Sequence, residues 1–145
     1  MIKPNEVHIW WVRTDSPEWD IESMCSVLSG DEKKRADRFH FPHHRHRFIV
    51  AHSLLRSILG IYLGQTPASL KFLNDSKGKP YLKPNGADTG LYFNLSHSND
   101  VALLGIVLNR QIGVDIEFIR PLSNMESIAG RYFSESEMNM ILNSP

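Results

Sequence analysis

Asp115 and Glu117 stand two residues apart in the stretch Ile-Gly-Val-Asp-Ile-Glu-Phe-Ile-Arg-Pro, residues 112–121. On an extended strand such residues share a face, with Cα atoms about 6.6 Å apart, so the two carboxylates can converge on one small hard cation while Val114 and Ile116 pack behind. Mg²⁺ suits this donor set: it takes oxygen ligands at about 2.0–2.1 Å, uses one or two protein carboxylates, and leaves its other positions to water and phosphate oxygens. The same spacing also describes the wet side of a half-buried strand. The choice between the two rests on which other chemistry the chain carries.

Groups suited to anions occur in three places. Residues 31–56 hold seven Lys or Arg (33, 34, 35, 38, 45, 47 and 56) against three acids (31, 32 and 37), and five of the seven histidines. This is either a solvated helix face or an anion site in which the planar fork of Arg47 meets a phosphate. His40 and His44 share a helical spacing, but without cysteine or a carboxylate at ligand spacing a zinc site is disfavoured. Ser76-Lys-Gly-Lys-Pro-Tyr-Leu82 is a glycine turn that presents Lys79 and backbone donors; the spacing of a Walker loop is absent. Phe93-Asn-Leu-Ser-His-Ser-Asn-Asp100 sets Ser96 beside His97. Adjacent strand residues point to opposite faces, which rules against a nucleophile and base pair and leaves a polar hairpin tip or two separate phosphate donors.

The elements that must position these groups follow from periodicity. Residues 7–12 read as a first strand, and Ser16 with Pro17 as the start of a short helix. Ser29 and Glu32 have capping-box spacing, so a basic helix is expected from near Asp31 to before Pro42. Phe48, Ala51, Leu55, Ile58, Leu59 and Tyr62 recur at three- and four-residue steps and predict a core helix over 43–63. After Pro67 the period changes to short β-type runs, 69–73, 79–82, 91–96 and 101–108, followed by a strand over 111–119. Two helical segments close the chain, the second opened by a capping box of Ser134 and Glu137. The expected class is α+β, a mostly antiparallel sheet packed with helices.

The chain has 145 residues, 41% of them hydrophobic, with 16 basic and 16 acidic side chains. Such a balance gives no global field toward nucleic acid or a membrane surface. A single cysteine, Cys25, excludes an internal disulfide and suits a reducing compartment; with no secretory or spanning signal, a cytoplasmic location is expected.

The order of these pieces carries more than any one of them. Gly-Lys-Pro-Tyr-Leu, Phe-Asn-Leu-Ser-His-Ser, Ile-Gly-Val-Asp-Ile-Glu and Arg-Tyr-Phe-Ser-Glu-Ser-Glu, preceded by Leu-Ser-Gly-Asp-Glu-Lys-Lys-Arg-Ala-Asp-Arg-Phe and His-Arg-Phe-Ile-Val-Ala-His-Ser-Leu-Leu-Arg, resemble the 4'-phosphopantetheinyl transferase family of the larger, Sfp type over essentially the whole chain. The resemblance implies Mg²⁺-dependent transfer of the phosphopantetheine arm from coenzyme A to a serine of an acyl or peptidyl carrier protein. It implies Asp115 and Glu117 as metal ligands and Arg35, Arg47, Lys79, Ser96 and His97 as coenzyme contacts, and it gives the base to a later glutamate; should this chain turn over by itself, Glu117 is the first candidate for that base. One basic position of the family's early helix is Glu32 here. The family fold is two-lobed with pseudo-twofold symmetry, so the resemblance implies a first lobe over 1–110 and the beginning of a second over 111–145. The family's later Trp-x-x-Lys-Glu motif does not occur in these 145 residues, so a truncated chain is expected, with self-association through its incomplete second lobe. Two other readings compete with a working transferase: a remnant that binds coenzyme A without turnover, and a His-rich module for metal or nucleic acid.

Overall fold

In the computed structural model, which describes residues 2–83, 89–120 and 125–143, a long helix lies across one face of a small antiparallel sheet. The elements in chain order are β1 (His8–Arg13), α1 (Ile21–Ser26), α2 (Gly30–Ala36), α3 (Pro42–Leu63), β2 (Phe72–Asn74), β3 (Pro80–Leu82), β4 (Leu91–Ser98), β5 (Val101–Leu108), α4 (Met125–Tyr132) and α5 (Glu135–Leu142). Strands β1, β5 and β4 form one sheet in that order, and β2 and β3 form a separate hairpin; all pairings are antiparallel. The α+β class expected from the sequence is the one observed.

Helix α3 organises the core because its apolar residues recur on one side. Leu55 and Leu59 pack with Leu91 and Phe93 of β4 and Leu104 and Ile106 of β5. Phe48 and Ile49 instead meet Leu28 and Ala36, which seats α1 and α2 against the first half of α3. A left-handed Gly64, φ 62°, ends the helix, a conformation that costs glycine little because it has no Cβ. Tyr62 ties α3 to the edge strand: its hydroxyl accepts from Trp10 Nε1 at 3.1 Å and meets His8 Nδ1 at 2.5 Å.

Several local expectations are corrected. The first helix begins four residues later than Ser16 and Pro17 suggested, because Asp20 is the residue whose carboxylate accepts the Ser23 N–H. The second ends at Ala36, and Pro42 opens α3 at its first turn, where the missing N–H is harmless. Both capping boxes form: Ser29 and Glu32 exchange bonds of 2.8 and 3.3 Å, Ser134 and Glu137 bonds of 2.9 and 3.5 Å. Residues 84–88, within an expected turn, and 121–124, before α4, lie outside the described residues.

The strand expected over 111–119 is not a ladder strand. The segment instead runs parallel to β4 over the sheet face turned away from α3, held by β4 side chains in place of a backbone partner. Val114 N–H donates to Asn94 Oδ1 at 2.7 Å, Ile116 N–H to Ser96 Oγ at 3.3 Å and Phe118 N–H to Ser98 Oγ at 3.0 Å. Acceptors on alternate residues of one strand match the period at which same-facing amides recur on an extended chain, so side-chain oxygens replace carbonyls. The approach is close over Gly105, where a Cβ would fall 2.6 Å from Val114 Cγ1 and 2.7 Å from Ile112 Cδ1.

Candidate functional site

The two carboxylates emerge beside β4. Asp115 Oδ1 accepts from Ser96 Oγ at 2.9 Å and from the Ile116 N–H at 3.0 Å; Glu117 Oε1 accepts from Ser98 Oγ at 3.2 Å. Among the described residues, Asp115 Oδ2 and Glu117 Oε2 carry no hydrogen bond and neither carboxylate enters an ion pair. Two exposed carboxylates on one edge, each with an oxygen to spare and without an ion pair among the described residues, fit a hard divalent cation. No third His, Cys, Asp or Glu joins them among the described residues.

Lys79 reaches the same segment from the β2–β3 hairpin. Asp75 Oδ1 accepts the N–H groups of Lys77 and Lys79, each at 2.8 Å, and Gly78 takes φ 81°. This turn aims the Lys79 ammonium at Ile112 O, 2.6 Å away. An ammonium has three donors, so two remain for an anion.

A second group gathers on the opposite face, toward the helices. His97 pairs across the sheet with Ala102, whereas Ser96 pairs with Leu103, and the two side chains therefore part company. Burial first, then the neighbouring charges of His52 and Arg35, push the His97 pKa below its ordinary value. The Arg35 guanidinium stands 5.3 Å from the Phe48 ring centroid, and that ring stacks on His52 at 4.0 Å. Arg35, His52 and His97 thus gather on this face, with His52 paired to Glu32 at 3.2 Å, which leaves Arg35 and His97 as the groups suited to a phosphate.

Behind them lies Glu32, which sequence reasoning met only as a helix cap and as an acid at a basic position of the family. Its Oε2 accepts from Arg56 Nε at 2.7 Å, and Oε1 lies 3.2 Å from His52 Nδ1. Burial raises the Glu32 pKa, but hydrogen bonds from His52, the Ser29 N–H and Arg56 more than offset it, leaving it at about 2. Arg56, 1% exposed, also donates to Pro67 O and Leu70 O at 3.0 Å each. One of the seven basic residues counted in the sequence is therefore a structural cation.

Arg47 sits apart from both groups. It forms an ion pair with Asp100 and donates to Asn99 Oδ1 at 3.4 Å, bracing the turn between β4 and β5, with its side chain a quarter exposed. The structure thus brings Lys79, Ser96, Asp115 and Glu117 to one face and Arg35 and His97 to the other, with Arg47 at the turn that joins them. Sequence reasoning missed Asn94, Ser98 and His52. The signal for the first two was the polar period-two stripe 94, 96, 98 matching the carboxylate stripe 115, 117.

Residues 11–107 match the family model for the 4'-phosphopantetheinyl transferase, N-terminal region. The chain is 46% identical over 141 residues to the 4'-phosphopantetheinyl transferase HetI of Nostoc sp., covering 97% of this chain and 60% of that protein. It is 29% identical over 138 residues to the 4'-phosphopantetheinyl transferase ffp of Bacillus subtilis, covering 92% and 58%. A further 4'-phosphopantetheinyl transferase of Bacillus subtilis is 29% identical over 116 residues, covering 80% and 49%. The chain belongs to the 4'-phosphopantetheinyl transferase family. It spans about half to 60% of the length of these relatives.

Proposed function

We propose that this chain supplies the coenzyme and metal site of a transferase that moves the 4'-phosphopantetheine arm of coenzyme A onto a serine hydroxyl of an acyl or peptidyl carrier protein. In that step the serine oxygen forms a bond to phosphorus, the phosphorus–oxygen bond to adenosine 3',5'-bisphosphate breaks, and the serine proton passes to a base. The observation that carries the reading is the pair Asp115 and Glu117, each held by a β4 serine and each with an oxygen unbonded among the described residues. Asp115 and Glu117 would hold Mg²⁺, which supplies positive charge against the coenzyme's diphosphate.

Lys79 is assigned to the diphosphate on the same face, and Arg35 and His97 to a phosphate on the other; Arg47 would meet the coenzyme at the turn between them. Glu117, with the longer and more mobile side chain, is proposed as the group that takes the serine proton. Residues 1–110 are proposed as a first lobe and 111–145 as the beginning of a second. No helix among the described residues is long and apolar enough to cross a membrane, and a cytoplasmic location is proposed. Ile9 and Trp11 of the edge strand, 50% and 69% exposed, and Ile119, 95% exposed, would support self-association, read as a concentration-dependent sedimentation coefficient.

A second reading is binding of coenzyme A without turnover. The test is to mix the chain with coenzyme A, Mg²⁺ and an apo carrier protein and follow the carrier by intact-mass spectrometry. Addition of the arm supports transfer by this chain. Coenzyme binding with an unmodified carrier supports the second reading, and neither binding nor modification overturns both.

A further inference from the structure

The hydroxyls of Ser96 and Ser98 are each used twice, in the same way. Ser96 Oγ donates to Asp115 and accepts the N–H of Ile116; Ser98 Oγ donates to Glu117 and accepts the N–H of Phe118. Each serine therefore grips a carboxylate and the next backbone amide with one atom. Asn94 adds a third rung, taking the N–H of Val114. We propose that Asn94, Ser96 and Ser98 form a register key that positions the Asp115 and Glu117 carboxylates, with Ser98 the positioning residue for Glu117. This rests on the metal-site reading given above.

Three physical points support it. The segment has no backbone ladder on β4; Lys79 and the contact over Gly105 hold its beginning at Ile112 and Val114, and from Asp115 onward its bonds to β4 among the described residues are those of the two serines. A slip of one residue would turn both carboxylates to the far side and bring Val114 and Ile116 to the edge. A hydroxyl also has a single proton, and that of Ser96 already goes to Asp115. In this arrangement Ser96 holds a carboxylate. Finally, Glu117 has more rotamers to lose than Asp115, so the bond from Ser98 restricts the freer of the two ligands.

The 145-residue chain is to be titrated with Mn²⁺ by electron paramagnetic resonance, with amide hydrogen exchange followed at Val114, Ile116 and Phe118. Ser98→Val, which removes the hydroxyl, is expected to weaken Mn²⁺ roughly tenfold, whereas Ser98→Thr, which keeps it, stays within about twofold of the parent. Exchange at Phe118 should accelerate in Ser98→Val and at Val114 in Asn94→Ala, with the β4–β5 amides still protected. Equal Mn²⁺ affinity in the parent and Ser98→Val, or unprotected parent amides at 114, 116 and 118, overturns the positioning role alone. A parent chain that binds no Mn²⁺ while those amides are protected overturns the metal-site reading and the positioning role with it.

Discussion

Arg56 Nε donates to Glu32 Oε2 at 2.7 Å across the contact between α2 and α3, with side chains 2% and 14% exposed. A guanidinium so deeply enclosed is tolerable only because the carboxylate and two carbonyls, of Pro67 and Leu70, satisfy it. Glu32→Ala leaves that cation buried without its counter-charge. The expected loss is about 3–5 kcal/mol in urea denaturation; a loss below about 1 kcal/mol, the scale of a surface pair, would contradict the structural role given to Glu32.

The same pair sets an acid limit. Glu32 has a pKa of about 2 in the fold against 4.5 as its ordinary value. A depressed carboxylate contributes stability in full above its unfolded pKa and loses it as pH falls through the folded one, so the window here is from about pH 5 to 2. The contribution is about 3 kcal/mol. Glu32→Gln should be less stable than the parent at pH 7 and should flatten the parent's decline in that window. Parallel stability profiles for the two proteins would count against this linkage.

Gly105 is where the carboxylate segment comes closest to the sheet. Gly105→Ala places a methyl 2.6 Å from Val114 Cγ1, and overpacking of this kind costs about 1–3 kcal/mol. The expected outcome is a folded sheet with faster amide exchange at 114 and 116 and weaker coenzyme A binding in the presence of Mg²⁺. Unchanged exchange at both amides would mean that the segment does not rest on β5.

Under the proposed assignment, Lys79→Ala and His97→Ala would each remove one charge-assisted hydrogen bond to the coenzyme, worth about 1.5–3 kcal/mol, from a different face. Each should weaken coenzyme A more than the analogue lacking the phosphate it meets. Arg38→Ala is the control: that side chain is exposed and bonds only to Lys34 O, at 3.4 Å, among the described residues. Equal losses for coenzyme A and for uncharged pantetheine would point to damaged folding in place of lost phosphate contacts.

Most of the architecture could be read from the residues because periodicity and caps act locally. The stripe from Phe48 to Tyr62 gave α3 within one residue at its start, and both capping boxes formed. What escaped was set by partners far along the chain. Nothing near Asp115 says that its amide neighbours would bond to the side chains of residues 94, 96 and 98, twenty positions earlier. An alternating apolar run looks the same whether it joins a ladder or lies across one. Arg56 likewise reads as surface charge until α2 brings Glu32 against it. The parting of Ser96 from His97, by contrast, is local and was legible, because adjacent residues of β4 face opposite sides.

The measurement that bears most directly on the proposed site is calorimetric titration of coenzyme A into the parent chain and Asp115→Ala, each with Mg²⁺ and with EDTA. An ion shared by carboxylates and diphosphate cancels the repulsion between them. Mg²⁺ should therefore tighten coenzyme A binding to the parent by at least about tenfold, the scale of one charge-assisted contact, and Asp115→Ala should lose most of that coupling while keeping its affinity in EDTA. Coenzyme A affinity that is the same in Mg²⁺ and in EDTA for the parent chain would contradict the metal site.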